Sequence, residues 1–582
     1  MIGKIVYISN NTAHIKISDG VKISTNLINM HVIFEDNNKK VLGEIEDISK
    51  DLIKVNFLGE IIDNKFVGGV IRKPTMESLV RIINSEELKI IIGNNDSNSF
   101  LLGTSALYDN YPITVNINDF FSNHIAIFGN SGSGKSCGVA RILQNIFSNP
   151  NYIPYKANIF IFDTYGEYHN AFSNFSSLNP NYQFKYYTTS KNDNQSNLIK
   201  IPLWLLERDD LALLLNATEH NQLSIIERML KMVRIFASEN ETALKYKNHL
   251  IAKAINSILY SNKSSESKRN DIFAIFNTCS TNEFNPDAIV QGVGYTRKFK
   301  DLFLINNADN FSESLLLSDY VTSFIDDSLE QYEESKINYF NLKDLEKALN
   351  FTLISEGLLN NEKSYNSAIS LKVRLHSIII GEYAKFFELD SFINKDQYVA
   401  SLISSENKKA QIINFNLEDV EDWFIKFVTK SFVKLLFNYV KNLPNRAALP
   451  FHIFLEEAHK YVQNDNDNFL LGYNIFDRVA KEGRKYGLIL GLISQRPVDL
   501  SDSVISQISN FLIFKITHPL DLEYIQKMLP NISSDIIEKQ KILQPGTCMA
   551  FGKAFKIPMI IRLKLPNPLP ESSNCDVLNT WK

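Results

Sequence analysis

Gly129-Asn130-Ser131-Gly132-Ser133-Gly134-Lys135-Ser136 follows directly on the apolar run Ile125, Ala126, Ile127, Phe128. This spacing suits the holding of a polyphosphate. Glycines let backbone N–H groups turn inward around phosphate oxygens. A helix starting at the end of the loop brings its partial positive charge to the same place. Lys135 has the length to reach the outer phosphates, and the Ser136 hydroxyl suits Mg²⁺. The expected ligands are therefore ATP and Mg²⁺. Binding alone is not turnover: hydrolysis also needs a carboxylate for the metal and a group that orients the attacking water.

The stretch PFHIFLEEAHKY at 450–461 supplies both. Phe451, Ile453, Phe454 and Leu455 read as a buried strand, and Glu456 and Glu457 emerge at its end. Adjacent residues at a strand end point in different directions. Glu456 is assigned to the Mg²⁺ shell and Glu457 to water activation. Asp163 ends a second apolar run, NIFIFD, and is a further candidate for approaching the metal or a water. A helix over 473–486, YNIFDRVAKEGRKY, gathers Arg478, Lys481, Arg484 and Lys485 near its end, with Gly487 as its C-cap. Such cations can simply complement the helix dipole. Alternatively, one guanidinium can stabilise transition-state charge on the γ-phosphate. Arg484 is the candidate for that finger, with Arg496 a weaker one. Gln495, at the end of the run LILGLIS, is placed to sense the γ-phosphate.

These residues need a frame. Residues 1–90 hold short alternating runs (KIVYI, AHIKI, HVIF, LIKVNFL, FVGGVI) parted by turn signals at 10–11, 19–20, 35–38 and 63–64. That spacing predicts a small β-barrel, with an open meander as the alternative. Residues 91–122 read as a connection. From 124 to about 203, strand, loop, helix and strand alternate, which argues for an α/β core with parallel strands. Val139, Ile142, Leu143, Ile146 and Phe147 recur at helical spacing. Residues 204–408 read as a helical insertion, with SNKSSESKRND at 261–271 as a loop. Strands return at 411–417, 451–457, 488–494, 511–516 and 547–554. The tail, 561–582, reads as extended chain over a surface. The expected division is thus 1–90 barrel, 91–203 first half of the core, 204–408 insertion, 409–560 second half and 561–582 tail.

Composition narrows the class. At 582 residues the chain is long enough for about 3–4 domains. Its 44% hydrophobic and 22% charged residues are those of an ordinary globular protein. The net charge of −4 argues against a protein that simply coats nucleic acid. Cys137, Cys279, Cys548 and Cys575 are far apart, which excludes a cysteine zinc knuckle and a disulfide scaffold and fits a reducing cytosol. The start shows no signal peptide, and no apolar run is long enough to cross a membrane, so a cytoplasmic protein with no membrane partner is expected.

Taken in order, GNSGSGKS, DTYGEY, LLNATEHNQ, FLEEAHKY, AKEGRKYG and LISQRP resemble the HerA-type ATPases, within the FtsK–HerA branch of P-loop machines. The likeness covers most of the chain and is weakest over the helical insertion and the tail. It implies a RecA-like core behind an N-terminal barrel, and a hexameric ring with ATP sites between subunits. Double-stranded DNA would occupy the central channel, and Arg484 would be donated by the neighbouring subunit. It also implies a separate effector, either a nuclease, typically NurA-like, or a sirtuin-type NADase, in DNA end processing or anti-phage defence. The alternative function is a ring-shaped scaffold that activates an effector, with ATP turnover in a regulatory role. A pump of a secretion system is a weaker reading, for want of a membrane segment. The basic, aromatic segment 295–300 is a possible DNA contact, but a solvated face explains it more simply.

Overall fold

The computed structural model describes residues 2–18, 27–36, 39–93, 97–108, 110–190, 197–334, 336–355, 362–405, 408–528, 539–571 and 577–581. The turn signal at 19–20, half of that at 35–38, and Cys575 lie outside them.

At the amino end, strands Gly3–Ile8, Thr12–Ile17, Leu52–Ile62, Lys39–Ser49, His31–Asp36 and Leu79–Ile82 neighbour one another in that order. The Ile2 N–H donates to the Val80 carbonyl at 2.9 Å and joins the last strand to the first. The sheet is therefore a barrel and not an open meander. Its interior is filled by alternate residues such as Ala13, Ile15, Ile53 and Val55, all fully buried. Asp63 and Asn64 both take positive φ, 50° and 57°. This is the twist that joins two antiparallel strands in a two-residue turn, here Leu52–Ile62 to Lys65–Gly68. Beyond the barrel, Asn84 caps helix Ser85–Ile92 in a reciprocal box with Glu87. The same Glu87 carboxylate pairs with Arg81 at 2.6 Å and Lys40 at 2.9 Å, both on barrel strands.

The rest of the chain is organised by one large sheet. In chain order its strands are β1 (Ser99–Ser105), β2 (Pro112–Asn116), β3 (Ile125–Phe128), β4 (Ile159–Asp163), β5 (Phe184–Thr188) and β6 (Ile412–Asn416). They are followed by β7 (Phe451–Leu455), β8 (Leu488–Ser494), β9 (Asn510–Ile513), β10 (Thr547–Gly552) and β11 (Met559–Arg562). Their spatial order is β5-β6-β4-β7-β8-β3-β9-β10-β11-β1-β2. Every pair from β5 to β9 is parallel. Every pair from β9 to β2 is antiparallel. Residues 91–122 are thus more than a connection, because β1 and β2 extend the sheet's far edge. Their alternation, FLLGTS and ITVN, is too short to stand out from a turn-rich stretch.

Side chains alternate across the strands as the pleat requires. Ala126, Phe128, Phe160 and Phe162 enter one core, and Ile125, Ile127, Ile159 and Ile161 the other. On the second face lies α1 (Lys135–Phe147), through Val139, Ile142, Leu143, Ile146 and Phe147. On the first face lie α2 (Asp422–Lys441), α3 (Ile475–Tyr486) and the mainly helical segment 204–408. That segment also holds a hairpin, Ile289–Gly292 with Tyr295–Lys298. The stretch at 261–271 is not all loop. Ser264 caps a helix over Ser265–Thr278, whose stripe Ile272, Ile275 and Phe276 is buried. The Ser- and Lys-rich composition of its first turns masked that stripe.

Two polar devices set the position of α3. His124, fully buried before β3, accepts the Leu490 N–H on Nδ1 at 2.9 Å and donates from Nε2 to the Ala480 carbonyl at 3.0 Å. Burial lowers its pKa to about 4, so the ring stays neutral and keeps this donor–acceptor order. On α2, buried Lys430 pairs with Asp465 and Asp467 in the loop that leads to α3. Asn474 donates to Asp465 at 3.2 Å and caps α3 through the Phe476 N–H at 2.9 Å. Among the described residues, no helix is long and apolar enough to cross a membrane.

Candidate nucleotide site

The loop after β3 is a cradle. Gly134 stands at the N-cap of α1 with φ 99°, and a Cβ there would lie 2.8 Å from the Gly546 nitrogen. Gly132 is also left-handed, φ 72°, with open space beside it. Glycine is required at Gly134 by both conformation and contact. Asn130 anchors the loop, its N–H to Lys515 O at 2.9 Å and its side chain to Thr517 Oγ1 at 2.7 Å. The Ser133 hydroxyl donates to Asn130 O at 2.7 Å, and Lys135 Nζ to the same carbonyl at 3.1 Å. Burial lowers the pKa of Lys135, against the pull of Glu456, Glu457 and Glu167.

The loop opens into a cleft of about 840 Å³, large enough for a nucleotide. Ser131, Gly132, Gly134, Lys135 and Ser136 line one side, and Glu456, Glu457 and Gln495 the other. Sheet order explains the meeting. β8 lies between β7 and β3, so Gln495 emerges between the carboxylates and the loop, all at the carboxyl ends of parallel strands. Gln495 Nε2 donates to Glu457 Oε1. Glu457 sits at φ 47° and ψ 45°, a left-handed conformation that costs a non-glycine residue about 1–3 kcal/mol. Burial raises its pKa, but His459, 3.2 Å from Oε2, and Gln495 outweigh burial and hold it below the ordinary value. Glu456 differs. Its carboxyl is buried and driven well above the usual range by desolvation, although Tyr168 donates to Oε2 at 2.6 Å. Two adjacent glutamates thus occupy opposite environments, because the backbone turns into the left-handed region between them.

Asp163 does not line this cleft. Its oxygens accept the N–H of Glu167 at 3.1 Å and of Tyr168 at 2.9 Å, and Asn414 Nδ2 at 3.3 Å. It caps the turn after β4, and desolvation raises it to about 6. The expectation that Asp163 ligates the metal is corrected accordingly, since its lone pairs face the backbone. From the same turn Glu167 does reach the cleft, with a buried Oε2 that has no hydrogen-bond partner among the described residues. Glu167, Glu418 and Glu571 were not singled out from sequence. The Gly166–Glu167 step after a buried strand was the available signal for the first. Nothing local marks Glu571, which the tail brings in by running along α1: Gln144 binds Asn567 N at 2.8 Å and Pro568 O at 3.0 Å, and Glu571 N–H donates to Glu167 O at 2.7 Å.

Arg484 is not in its own chain's cleft. It donates to Asn123 Oδ1 at 2.9 Å and Ser509 Oγ at 3.4 Å, both just before the amino ends of β3 and β9. The phosphate loop starts six residues after Asn123, about 20 Å along an extended strand. Arg496 is bound to Asp499 at 2.9 Å. The basic segment 295–300 is internally paired, with Arg297 to Glu313 at 2.5 Å and Lys298 and Lys300 to Asp287 at 3.3 and 2.8 Å.

Among the described residues the lining therefore sets Glu167, Glu418, Glu456, Glu457 and Glu571 against Lys135 as its one cation. Such a cleft fits Mg²⁺: Ser136 and Glu456 would hold it, and Glu167 Oε2 is a buried carboxylate oxygen with no hydrogen-bond partner among the described residues. A glycine cradle on a parallel sheet, facing carboxylates from the next strand but one, defines a P-loop ATPase fold with a RecA-like core.

Comparison with known proteins narrows the class. The family model for the HerA helicase central domain matches residues 100–292. The DNA double-strand break repair helicase HerA of Saccharolobus solfataricus is 27% identical over 208 residues, 35% of this chain and 41% of that one. The same-named protein of Sulfurisphaera tokodaii is 25% identical over 264 residues, 45% and 51% of the two chains. The chain thus spans about half or less of these relatives' length. A probable HerA of Methanocaldococcus jannaschii matches at 23% over 560 residues, 94% of this chain and 92% of its own. Among solved structures, VirB4 of Thermoanaerobacter pseudethanolicus aligns with a TM-score of 0.42 at 14% identity, over 81% of this chain and 97% of that one. The chain is thus similar to the HerA-type P-loop ATPases, in its central part by the family model and along most of its length by the last of these relatives.

Proposed function

We propose that this protein hydrolyses ATP with Mg²⁺ at the cleft described above, as a ring in which each site lies at a seam between two copies. The ring would use that turnover to move along double-stranded DNA. The observation that carries the reading is the acidic lining of the cleft, with Lys135 as the one cation among the described residues, together with an exposed arginine that its own chain holds about 20 Å away. Adding a triphosphate makes the deficit of positive charge larger. Mg²⁺, held by Ser136 and Glu456, would supply part of the balance as a Lewis acid. Arg484 of the next subunit supplies the rest.

Each residue then has a task. The loop N–H groups and Lys135 bind and orient the phosphates, while Ser136 and Glu456 hold the metal. Glu457, kept ionised by His459 and Gln495, orients water and accepts its proton. Gln495 bridges that carboxylate to the γ-phosphate side. A ring passing along any sequence needs phosphate contacts without base reading. Names of the relatives given above support DNA as the track, and the expected partner remains a separate nuclease or NADase in end processing or anti-phage defence. The deciding measurement is steady-state phosphate release with and without linear double-stranded DNA, beside displacement of an annealed strand. Stimulation and displacement are expected. DNA-independent turnover without displacement would leave the scaffold reading in its place.

A further inference from the structure

Tyr168 is fully buried, yet its hydroxyl meets a carboxylate, Glu456 Oε2 at 2.6 Å. That length is at the short end of the range for a hydroxyl donating to an oxygen. The turn after β4 is built to put it there. Asp163 Oδ2 takes the N–H of Tyr168 itself, and Gly166, left-handed at φ 71°, lets the chain fold back. The backbone of Glu456 is fixed independently. Its N–H donates to Phe162 O at 3.0 Å, and its carbonyl accepts Thr164 Oγ1 at 3.1 Å and the Tyr461 hydroxyl. The remaining freedom is in the side-chain torsions, and the terminal torsion of a glutamate is the least restricted of them. Tyr168 closes that freedom.

We infer that Tyr168 is a positioning residue, whose hydroxyl holds Glu456 in the one orientation that presents its carboxylate to the cleft. The inference rests on the reading of Glu456 as part of the metal shell. Tyr168→Phe keeps the ring and its packing and removes only the hydroxyl. Mn²⁺ titrated into protein holding a non-hydrolysable ATP analogue, with bound metal read by electron paramagnetic resonance, should bind about tenfold more weakly in this variant, the scale of one hydrogen bond to a charged group. In turnover, the Mg²⁺ needed for half-maximal rate should rise by a larger factor than kcat falls. Asp163→Asn, which loosens the turn without touching the ring, should shift metal binding the same way. In a Glu456→Ala background, Tyr168→Phe should add nothing. Unchanged metal affinity in Tyr168→Phe and Asp163→Asn, or an equal loss in the Glu456→Ala background, overturns the inference and leaves the ATPase reading standing. Unchanged affinity in Glu456→Ala alone overturns this inference together with the assignment of Glu456 to the metal.

Discussion

Replacing Arg484 by alanine tests the geometry of the assembly most directly. In its own subunit the side chain bonds Asn123 and Ser509, at the end of the sheet opposite the phosphate loop. The six-residue step from Asn123 to Gly129 spans about 20 Å when extended, beyond the reach of any arginine. Under the proposed function, Arg484 therefore acts on the site of a neighbouring subunit. Loss of an arginine finger lowers turnover by about 10³–10⁵-fold while ATP still binds. Lys135→Ala should be inactive for a different reason, since it lacks the cradle's cation. In a head-to-tail ring each seam takes its cradle from one subunit and its finger from the next. In a random equal mixture of the two variants, about one seam in four pairs an intact cradle with an intact finger. Rings purified through two different tags, one on each variant, should therefore recover about a quarter of wild-type phosphate release per seam, provided seams act independently. Both parents should show nearly none. Mixed rings as inactive as their parents would refute the trans assignment, and so would an Arg484→Ala protein that turns over at the wild-type rate.

Two other outcomes follow from the same structure. Glu457→Gln removes the oriented carboxylate but leaves loop, lysine and metal residues in place. It should retain ATP affinity within a few-fold and lose about 10²–10³ in kcat, measured by nucleotide-binding fluorescence and phosphate release. At the barrel junction, Glu87 is desolvated, yet Arg81, Lys40 and the Asn84 N–H hold its pKa at about 2, below the ordinary 4.5. A folded-state value depressed in this way adds stability above about pH 4.5, and that stability is lost as pH falls toward 2. The contribution is about 1–2 kcal/mol once the partly exposed partners are allowed for. Glu87→Gln should melt earlier than wild type at pH 7, with the gap closing below about pH 4.5, and a gap independent of pH would contradict the assignment.

Much of this protein was legible in its residues because the relevant signals are local. Gly129 to Ser136 form a contiguous loop whose chemistry depends on backbone conformation and on one following helix. Buried parallel strands such as IAIF and IFIFD are nearly continuous apolar stretches, so β3, β4, β7 and β8 stood out. A glutamate pair at the end of such a strand announces itself in the same way. The tertiary structure decided what depends on contacts between distant segments. Asp163 and Glu167 are equally plausible acids by type, but hydrogen bonds to the turn occupy the first and leave the second facing the cleft. Glu571 joins the site only because the tail lies along α1. Glu456 and Glu457 acquire opposite protonation tendencies because the chain turns left-handed between them, which places one against Tyr168 and the other against Gln495. Arg484 was recognisable as a cation on a helix. Its separation from its own phosphate loop follows from the length and direction of the strands, and no local pattern encodes that distance.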